Sequence, residues 1–585
     1  MEALHALSEF SAEPDPREDE RAGAESASKR ARTAAHAEQA RATRDEVARR
    51  LAAADEAGNG ADEALDEASV KRLVLALEKR VTENVRMRAK FATEPNRFLK
   101  SEIELFAELK KLHALATSPA LIPPFVRTGA LTTILSLLAH ENTDISVEVI
   151  DLLSELTDAD LLVELRELAA ANTLIAALLE SGGVETIVEH ISRLDEADAD
   201  EAEAVHKSLL IVENLLEAQP ARVAELLVGK TALLPWLLQR IKPRAFDANK
   251  LYASELLSIL LQASSVVREQ LGAADGMEAL LLAVAPFKRK EPAGGEEEEL
   301  CENLFDSICS ALLFPANQTL FLKAEGVELM ILALREGRFG ARGALRTLDF
   351  AAQRNAVVAE RIVDSRGLGA LFPYVGRAAS LPLAHLKSRA ERETAQREDD
   401  EHIISLLASL CHELDGRYRQ RLLGKFVEGG HDKVAALVAT RQAYAARVAA
   451  FEARARVEAD GGGDDDDDDG ELFLGRLEAG LLTVQLATTV LAYLIVSGDP
   501  SLSRTTLLLL HEAGVGVDGV AASLRELRES MGEAQVGVAV TNNRLKMDAL
   551  CARFEQLSAR LVRRQAPSGA GGATVAGPTG EGEHQ

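Results

Sequence analysis

The sequence predicts an all-α protein, an armadillo/HEAT-like right-handed superhelical solenoid with N- and C-terminal capping helices. The main observation is a repeated motif: a glycine, an apolar residue, then a short Leu/Ile-rich helix. Its copies start at Gly129, Gly183, Gly276, Gly326 and Gly367, and a weaker copy starts at Gly229. Successive copies lie 41 to 54 residues apart, as in armadillo and HEAT repeats. Composition agrees, because 47% hydrophobic but only 4% aromatic residues favour packed helices over sheets. A solenoid also accommodates 585 residues, since each repeat packs only on its neighbours.

Composition divides the chain into seven segments. Residues 1–63 contain hardly any large apolar side chains and are predicted to be a disordered arm. Within the arm, Lys29, Arg30 and Arg32 form a short basic cluster, either a weak nuclear import signal or an ordinary solvated run. The other predicted segments are N-terminal capping helices at 64–119, armadillo-like repeats at 120–414, C-terminal helices at 415–460, an acidic flexible loop at 461–470, a C-terminal helical cap at 471–564 and a disordered tail at 565–585.

Helical spacing and turn signals justify these segments in turn. The first predicted capping helix begins near Asp66, and the second follows Pro95. In both, apolar residues recur about one helical turn apart. Charged insertions such as 386–402 separate helices of the repeats and are expected in loops or at helix ends. Gly429 and Gly430 break the segment 415–460, and the six adjacent aspartates of 464–469 repel one another in any compact form.

One apolar stretch has the length of a membrane span. Residues 479–498 carry no charge, but Gln485, three threonines and two glycines dilute the stretch, and its flanks lack basic asymmetry. We therefore expect a helix buried inside the C-terminal part of the solenoid. The N-terminus has no apolar core flanked by basic residues, which argues against a secretory signal.

Charge and cysteine content exclude some classes of function. The formal net charge of −27 argues against a general affinity for nucleic acid and favours basic partners. Four cysteines without a CxxC pair are typical of buried thiols in a reducing compartment.

The sequence contains no motif that indicates an enzyme. Gly514-Val515-Gly516-Val517-Asp518-Gly519 fits a dinucleotide-binding pattern, but helical patterns flank it where a strand is required. No P-loop, HExxH or paired-cysteine motif occurs, so we expect no catalytic residues, no metal and no cofactor.

Acidic residues follow the polar side of the longer helix in successive repeats. In residues 144–158 carboxylates occupy one side, and the opposite side consists of apolar positions spaced to face a core: Ile145, Val149, Leu152, Leu153 and Leu156. If these helices line a groove, their field attracts an extended Lys/Arg-rich peptide, although the same residues would equally keep an exposed helix soluble. The candidate groove residues are Glu148, Asp151, Glu155, Asp158, Glu213, Asn214, Glu217, Glu255, Glu302, Asn303 and Asp306.

Several long blocks resemble the β-catenin-like family of nuclear armadillo proteins, from near Leu65 to about residue 500. They include ENTDISVEVIDLLSELTD, FDANKLYASELLSILLQ, ENLFDSICSALL and FLGRLEAGLLTVQ. The resemblance implies an armadillo-type solenoid associated with the spliceosome through the nineteen complex, and partners with basic, nuclear-localisation-like segments. The basic cluster sits where the family carries its import signal, here with Ala31 inside it. The Trp/Asn ladder of import receptors is not reproduced, since only Asn214 and Asn303 resemble ladder positions.

These observations lead to one functional hypothesis and two alternatives. The first is a non-enzymatic nuclear scaffold or adaptor of pre-mRNA splicing, which binds basic segments of partner proteins in an acidic groove. It needs neither direct nucleic-acid binding nor a membrane, and homo-oligomer formation is left open. The alternatives are a general armadillo transport or adhesion adaptor in the cytoplasm, and a nucleotide-using enzyme at residues 514–519.

Overall fold

The computed structural model describes residues 66–158, 168–376, 380–383, 386, 388–459, 468–531 and 538–565. Within these ranges the regular structure is helical throughout and contains no strand. The predicted arm 1–63 with Lys29, Arg30 and Arg32, residues 461–467 of the acidic loop, and the tail from 566 onward lie outside the described residues. The chain divides into two compact units, residues 1–274 and 275–585, which are described separately.

In the first unit the described helices vary in length from 6 to 24 residues. They are α1 (Glu67–Lys90), α2 (Pro95–Leu112), α3 (Ile122–Arg127), α4 (Ala130–Ser136), α5 (Thr143–Leu156), α6 (Leu168–Glu180), α7 (Gly183–Ile191), α8 (Ala199–Ala218), α9 (Pro220–Lys230), α10 (Leu233–Arg240), α11 (Ala248–Ala263) and α12 (Ser265–Ala273).

The second unit continues the same pattern and ends in longer helices. They are α13 (Gly276–Val284), α14 (Gly295–Leu312), α15 (Pro315–Lys323), α16 (Gly326–Glu336), α17 (Ala341–Ala352), α18 (Ala356–Asp364), α19 (Gly367–Leu371), α20 (Arg389–Glu413), α21 (Gly416–Ala459), α22 (Asp468–Glu478), α23 (Leu481–Ile495), α24 (Pro500–Glu512), α25 (Val517–Ser530) and α26 (Val538–Gln565). The backbone of α21 is non-helical from Glu428 to His431, around the predicted break. Because α22 begins at Asp468, residues 468–470 of the predicted loop are helical.

The repeat consists of three helices, of which the third is the longest. This holds for α6–α8 and α9–α11 in the first unit, and for α15–α17 and α18–α20 in the second. Polar caps define the starts of several third helices: the side chain of Asp198 accepts from the backbone of α8, and that of Asp247 from α11. Their apolar stripes are buried, including the predicted core positions Ile145, Val149, Leu152, Leu153 and Leu156.

The glycine of the repeated motif allows a close approach between the first two helices of a repeat. The left-handed residue that joins them precedes this glycine, at Gly182, Asp275, Glu325 and Arg366. A Cβ atom on Gly326 would lie 2.4 Å from the ring of the fully buried Phe321. Two copies differ: Gly129 itself is left-handed (φ 78°), and Gly229 lies within α9.

Two segments that resembled other structures are parts of the helical fold. In α23, within the predicted apolar stretch, every residue except Leu482 and Leu486 is buried. Among the described helices none is by itself long and apolar enough to cross a membrane, whereas three sharply bent helix pairs reach the required length and hydropathy. Gly514 (φ 74°) lies in the turn between α24 and α25, so no strand precedes the glycine-rich match.

Candidate peptide-binding surface

The third helices of the first unit run side by side in the same direction. Lys207 of α8 pairs with Asp151 of α5, and seven residues further along α8 the Asn214 amide donates to Thr157 at 3.5 Å. In the next step the Asn249 amide of α11 donates to the carbonyl of Ala202, 2.9 Å away. The polar positions of α5, α8 and α11 therefore form one row, which we call the first-unit row.

Glu148 does not belong to the exposed part of this row. Its side chain is only 3% exposed, and Lys110 lies 2.8 Å from one carboxylate oxygen. The Nε2 atom of His113 lies 2.8 Å from the other oxygen. The prediction that Glu148 faces a peptide is therefore wrong: α2 and the residue after it pack over this carboxylate and neutralise it.

His113 links the buried carboxylate to an exposed one. Its Nδ1 atom lies 2.6 Å from Oε2 of Glu155, whose side chain is half exposed. Burial by itself lowers the pKa of His113, but the hydrogen bonds and charges of Glu148 and Glu155 outweigh it and raise the pKa above its ordinary value. The protonated imidazole is thus the form that this site favours.

Asp151 is also neutralised from a neighbouring helix. Lys207 of α8 pairs with Asp151 and with Glu203, which lies one turn earlier in α8. Burial alone lowers the pKa of Lys207, but the two carboxylates raise it overall, so the amine stays charged. Asp151 consequently contributes little net charge to the row.

Exposed carboxylates remain at the C-terminal ends of α5 and α8. Glu155, Asp158 and Glu217 are all exposed, and the contact between Asn214 and Thr157 places the two helix ends next to each other. Neither helix has a basic residue in its last turn. Because the C-terminal end of a helix already carries partial negative charge, these carboxylates strengthen a local negative potential. We call Glu155, Asp158 and Glu217 the acidic end.

The other candidates of the first unit are half-buried. The hydroxyl of Tyr252 donates to Glu213, and burial together with this carboxylate raises the pKa of Tyr252, so the phenol stays protonated. Asn214 is occupied by its contact with Thr157. Glu255 lies one turn after Tyr252 on α11 and is half-buried.

In the second unit the third helices α14, α17 and α20 neutralise one another. Glu302 and Asp306 of α14 both pair with Arg346 of α17, at 3.0 and 2.8 Å. Asn303, which follows Glu302 in the chain, is half-buried. Further along, Arg342 pairs with Asp399 at 2.8 Å and His402 lies 3.0 Å from Asp349. Sequence reasoning missed these basic partners, although Lys207 and Arg346 also occupy third-helix positions.

Among the described residues no group of three or more His, Cys, Asp or Glu side chains is arranged to hold a metal ion.

A family model described as catenin-beta-like, Arm-motif containing nuclear, matches residues 47–525. The chain belongs to the catenin-beta-like family. Membership confirms the predicted all-α armadillo fold class and makes the chain an armadillo-type scaffold of a family described as nuclear.

Catenin-beta-like relatives match most of the chain. Human Beta-catenin-like protein 1 is 37% identical over 479 residues, which cover 80% of this chain and 83% of that protein. The Beta-catenin-like protein 1 homolog of Schizosaccharomyces pombe is 30% identical over 473 residues, with coverages of 80% and 79%. Among solved structures, an engineered protein aligns over 84% of this chain and 99% of its own with 15% identity and a TM-score of 0.46. A likeness at that level carries no argument about function.

Proposed function

We propose that this chain is a non-enzymatic nuclear adaptor of the pre-mRNA splicing machinery, which holds Lys/Arg-rich segments of partner proteins at its acidic end. The observation that carries the proposal is the exposure of Glu155, Asp158 and Glu217 beside two helix C-termini that lack basic residues. A guanidinium or ammonium group there gains from both the carboxylates and the helix dipoles. The family resemblance supplies the splicing context and the nineteen complex as the source of partners.

The proposed binding surface contains only part of the acidic residues that the sequence offered as candidates. Glu148 is buried, and Asp151 is paired with Lys207. Glu302 and Asp306 share Arg346. A basic peptide would have to displace these internal cations. At the acidic end the three carboxylates are exposed, although His113 contacts one oxygen of Glu155. Binding then depends more on charge than on asparagine clamping of the peptide backbone, and weakens with added salt because exposed charges are screened.

The test is a binding titration with a labelled peptide of alternating lysine and arginine. We expect the variant Glu155→Lys, Asp158→Lys, Glu217→Lys to lose at least about tenfold in affinity at low salt, since three exposed attractive pairs become repulsive. Its matched control is Glu180→Lys, Glu189→Lys, Glu269→Lys, which makes the same change in charge at exposed positions of first and second helices. Unchanged binding by the first variant, or an equal loss in the control, would exclude the acidic end.

Partner identity and location need separate experiments. The same two variants can serve as baits in nuclear extract, with the captured proteins identified by mass spectrometry. The acidic-end variant should capture fewer splicing factors with basic segments than the control variant. For import, residues 1–63 fused to a reporter should direct it to the nucleus, and Lys29→Ala, Arg30→Ala, Arg32→Ala should abolish this. A reporter fusion avoids import on a bound partner, and its failure to enter the nucleus would reject the basic cluster as a signal.

A further inference from the structure

Arginine side chains converge on one cleft of the second unit. Arg389, Arg392 and Arg397 lie in the first turns of α20, and Arg447 comes from the part of α21 that follows its break. They line an open cleft of about 380 Å³, which we call the arginine cleft, together with Leu383, Glu393 and Gln396.

The lining of the arginine cleft contains four arginines and one carboxylate, Glu393, and so carries an excess of positive charge. Arg389 pairs with Glu393 at 2.6 Å. The Nε atom of Arg392 donates to the carbonyl of Leu386 at 3.0 Å, and Arg397 donates to the Thr394 hydroxyl at 2.7 Å. Arg447 lies over the ring of Tyr444. Within the described part of the chain none of Arg392, Arg397 and Arg447 has an ion pair, although the sequence contains 93 acidic residues.

The position of the cluster increases its positive potential. Helices favour acidic residues in their first turn, because the N-terminal end carries partial positive charge. In α20, Arg389 begins the helix and Arg392 follows within the first turn, with Glu391 engaged in the capping box of Ser388. Arginines at this end repel the dipole and one another. A bound anion would relieve both repulsions.

The geometry favours phosphate over carboxylate as the anion. One guanidinium group can saturate a carboxylate in a bidentate pair, whereas a phosphate monoester has three acceptor oxygens and about twice the charge. Three guanidinium groups without an ion pair, around one small cleft, can together supply the hydrogen bonds and the positive charge that a phosphate monoester requires.

The surroundings favour a peptide over nucleic acid as the carrier of that phosphate. From Arg389 to Arg397 the helix extends only about 12 Å, at 1.5 Å per residue. Nucleic-acid affinity is built from many phosphate contacts along a basic face. Glu393 within the cleft and a net charge of −27 oppose a long polyanion.

We propose that the arginine cleft is a docking site for a short peptide segment that carries a phosphorylated serine or threonine. It is a second interaction surface, opposite in charge to the acidic end and independent of it.

The experiment measures fluorescence anisotropy of a labelled Gly/Ser peptide with one central phosphoserine, titrated with the full chain at low salt. The peptide should bind, and its unphosphorylated and Ser→Glu forms should bind at least about tenfold more weakly. Charge reversal in Arg392→Glu, Arg397→Glu, Arg447→Glu should cause a similar loss. Arg392, Arg397 and Arg447 lie at or near the surface, so thermal melting should show that the variant stays folded.

Two controls make the result specific. Lys323→Glu, Arg504→Glu, Arg525→Glu changes charge equally at exposed positions of other helices and should leave the affinity within about twofold of the original. Arg392→Lys, Arg397→Lys, Arg447→Lys keeps the charge but removes the planar fork, and should weaken binding several-fold. Equal binding of the phosphorylated and unphosphorylated peptides, full affinity in the lysine variant, or tighter binding of an RNA oligonucleotide than of the phosphopeptide would overturn the proposal.

Discussion

His113 Nε2 lies 2.8 Å from Oε1 of Glu148, across the interface between the end of α2 and the middle of α5. This contact makes a capping-helix residue the partner of a carboxylate that belongs, by sequence, to a repeat. The charge of the first-unit row is therefore set by neighbouring helices as well as by its own residues.

The first prediction concerns pH. Folding raises the pKa of His113 above its unfolded value of about 6.5. The stabilisation of the folded state by protonated His113 is therefore complete below about pH 6.5 and is lost as pH rises through the higher folded pKa. The difference in melting temperature between the original protein and His113→Gln should shrink from about pH 6 to about pH 9. His511→Gln at an exposed histidine of α24 serves as the control for the effect of the substitution itself. A ring titration of His113 by NMR that gave a pKa below 6.5 would contradict the assignment.

The second prediction compares the loss of the two cations, Lys110 and His113, with the loss of the Glu148 carboxylate that they contact. Replacing both Lys110 and His113 by alanine leaves the 3%-exposed carboxylate of Glu148 without these cations and should destabilise the first unit by about 3 kcal/mol. Glu148→Gln leaves only partly exposed cations and should cost about 1 kcal/mol. Urea denaturation would measure both values, and an equal cost would indicate that Glu148 is solvated.

The third prediction concerns the repeated glycine. Gly326→Ala places a methyl group against Phe321, where a Cβ would lie 2.4 Å from the ring, and should cost about 1–3 kcal/mol. Gly369→Ala is the matched control inside α19, where a Cβ meets open space, and should stabilise by about 0.5–1 kcal/mol. Thermal or urea unfolding distinguishes the two, and the same sign in both variants would reject the steric explanation.

The fourth prediction concerns the neutralised part of the row. Lys207→Gln frees Asp151 beside the acidic end and should raise the affinity for a Lys/Arg peptide by roughly two- to fivefold at low salt. Lys230→Gln removes the same charge from α9, a first helix, and should have a smaller effect. If Lys207→Gln left the affinity unchanged, Asp151 would lie outside the peptide's reach.

The sequence by itself determined the helical repeats and their buried faces. The spacing of Ile145, Val149 and Leu153 is a local property of one helix, and all three are buried as predicted. The motif glycines predicted the junctions between helices for a similar, local reason, because each glycine lies at or next to the turn in the chain. Gly229 is the exception: Lys230 follows it instead of an apolar residue, and it lies inside α9.

Only the tertiary structure decided which carboxylates stay exposed. The periodicity that places Ile145 and Val149 in the core places both Glu148 and Glu155 on the polar side. It cannot show which of these two carboxylates is buried and which is exposed. Glu148 is buried because Lys110 of α2 and His113, the residue after α2, reach it, while Glu155, two turns nearer the end of α5, remains half exposed. The register between packed helices brings together residues 35 or more positions apart, and the pattern within one helix contains no information about that register.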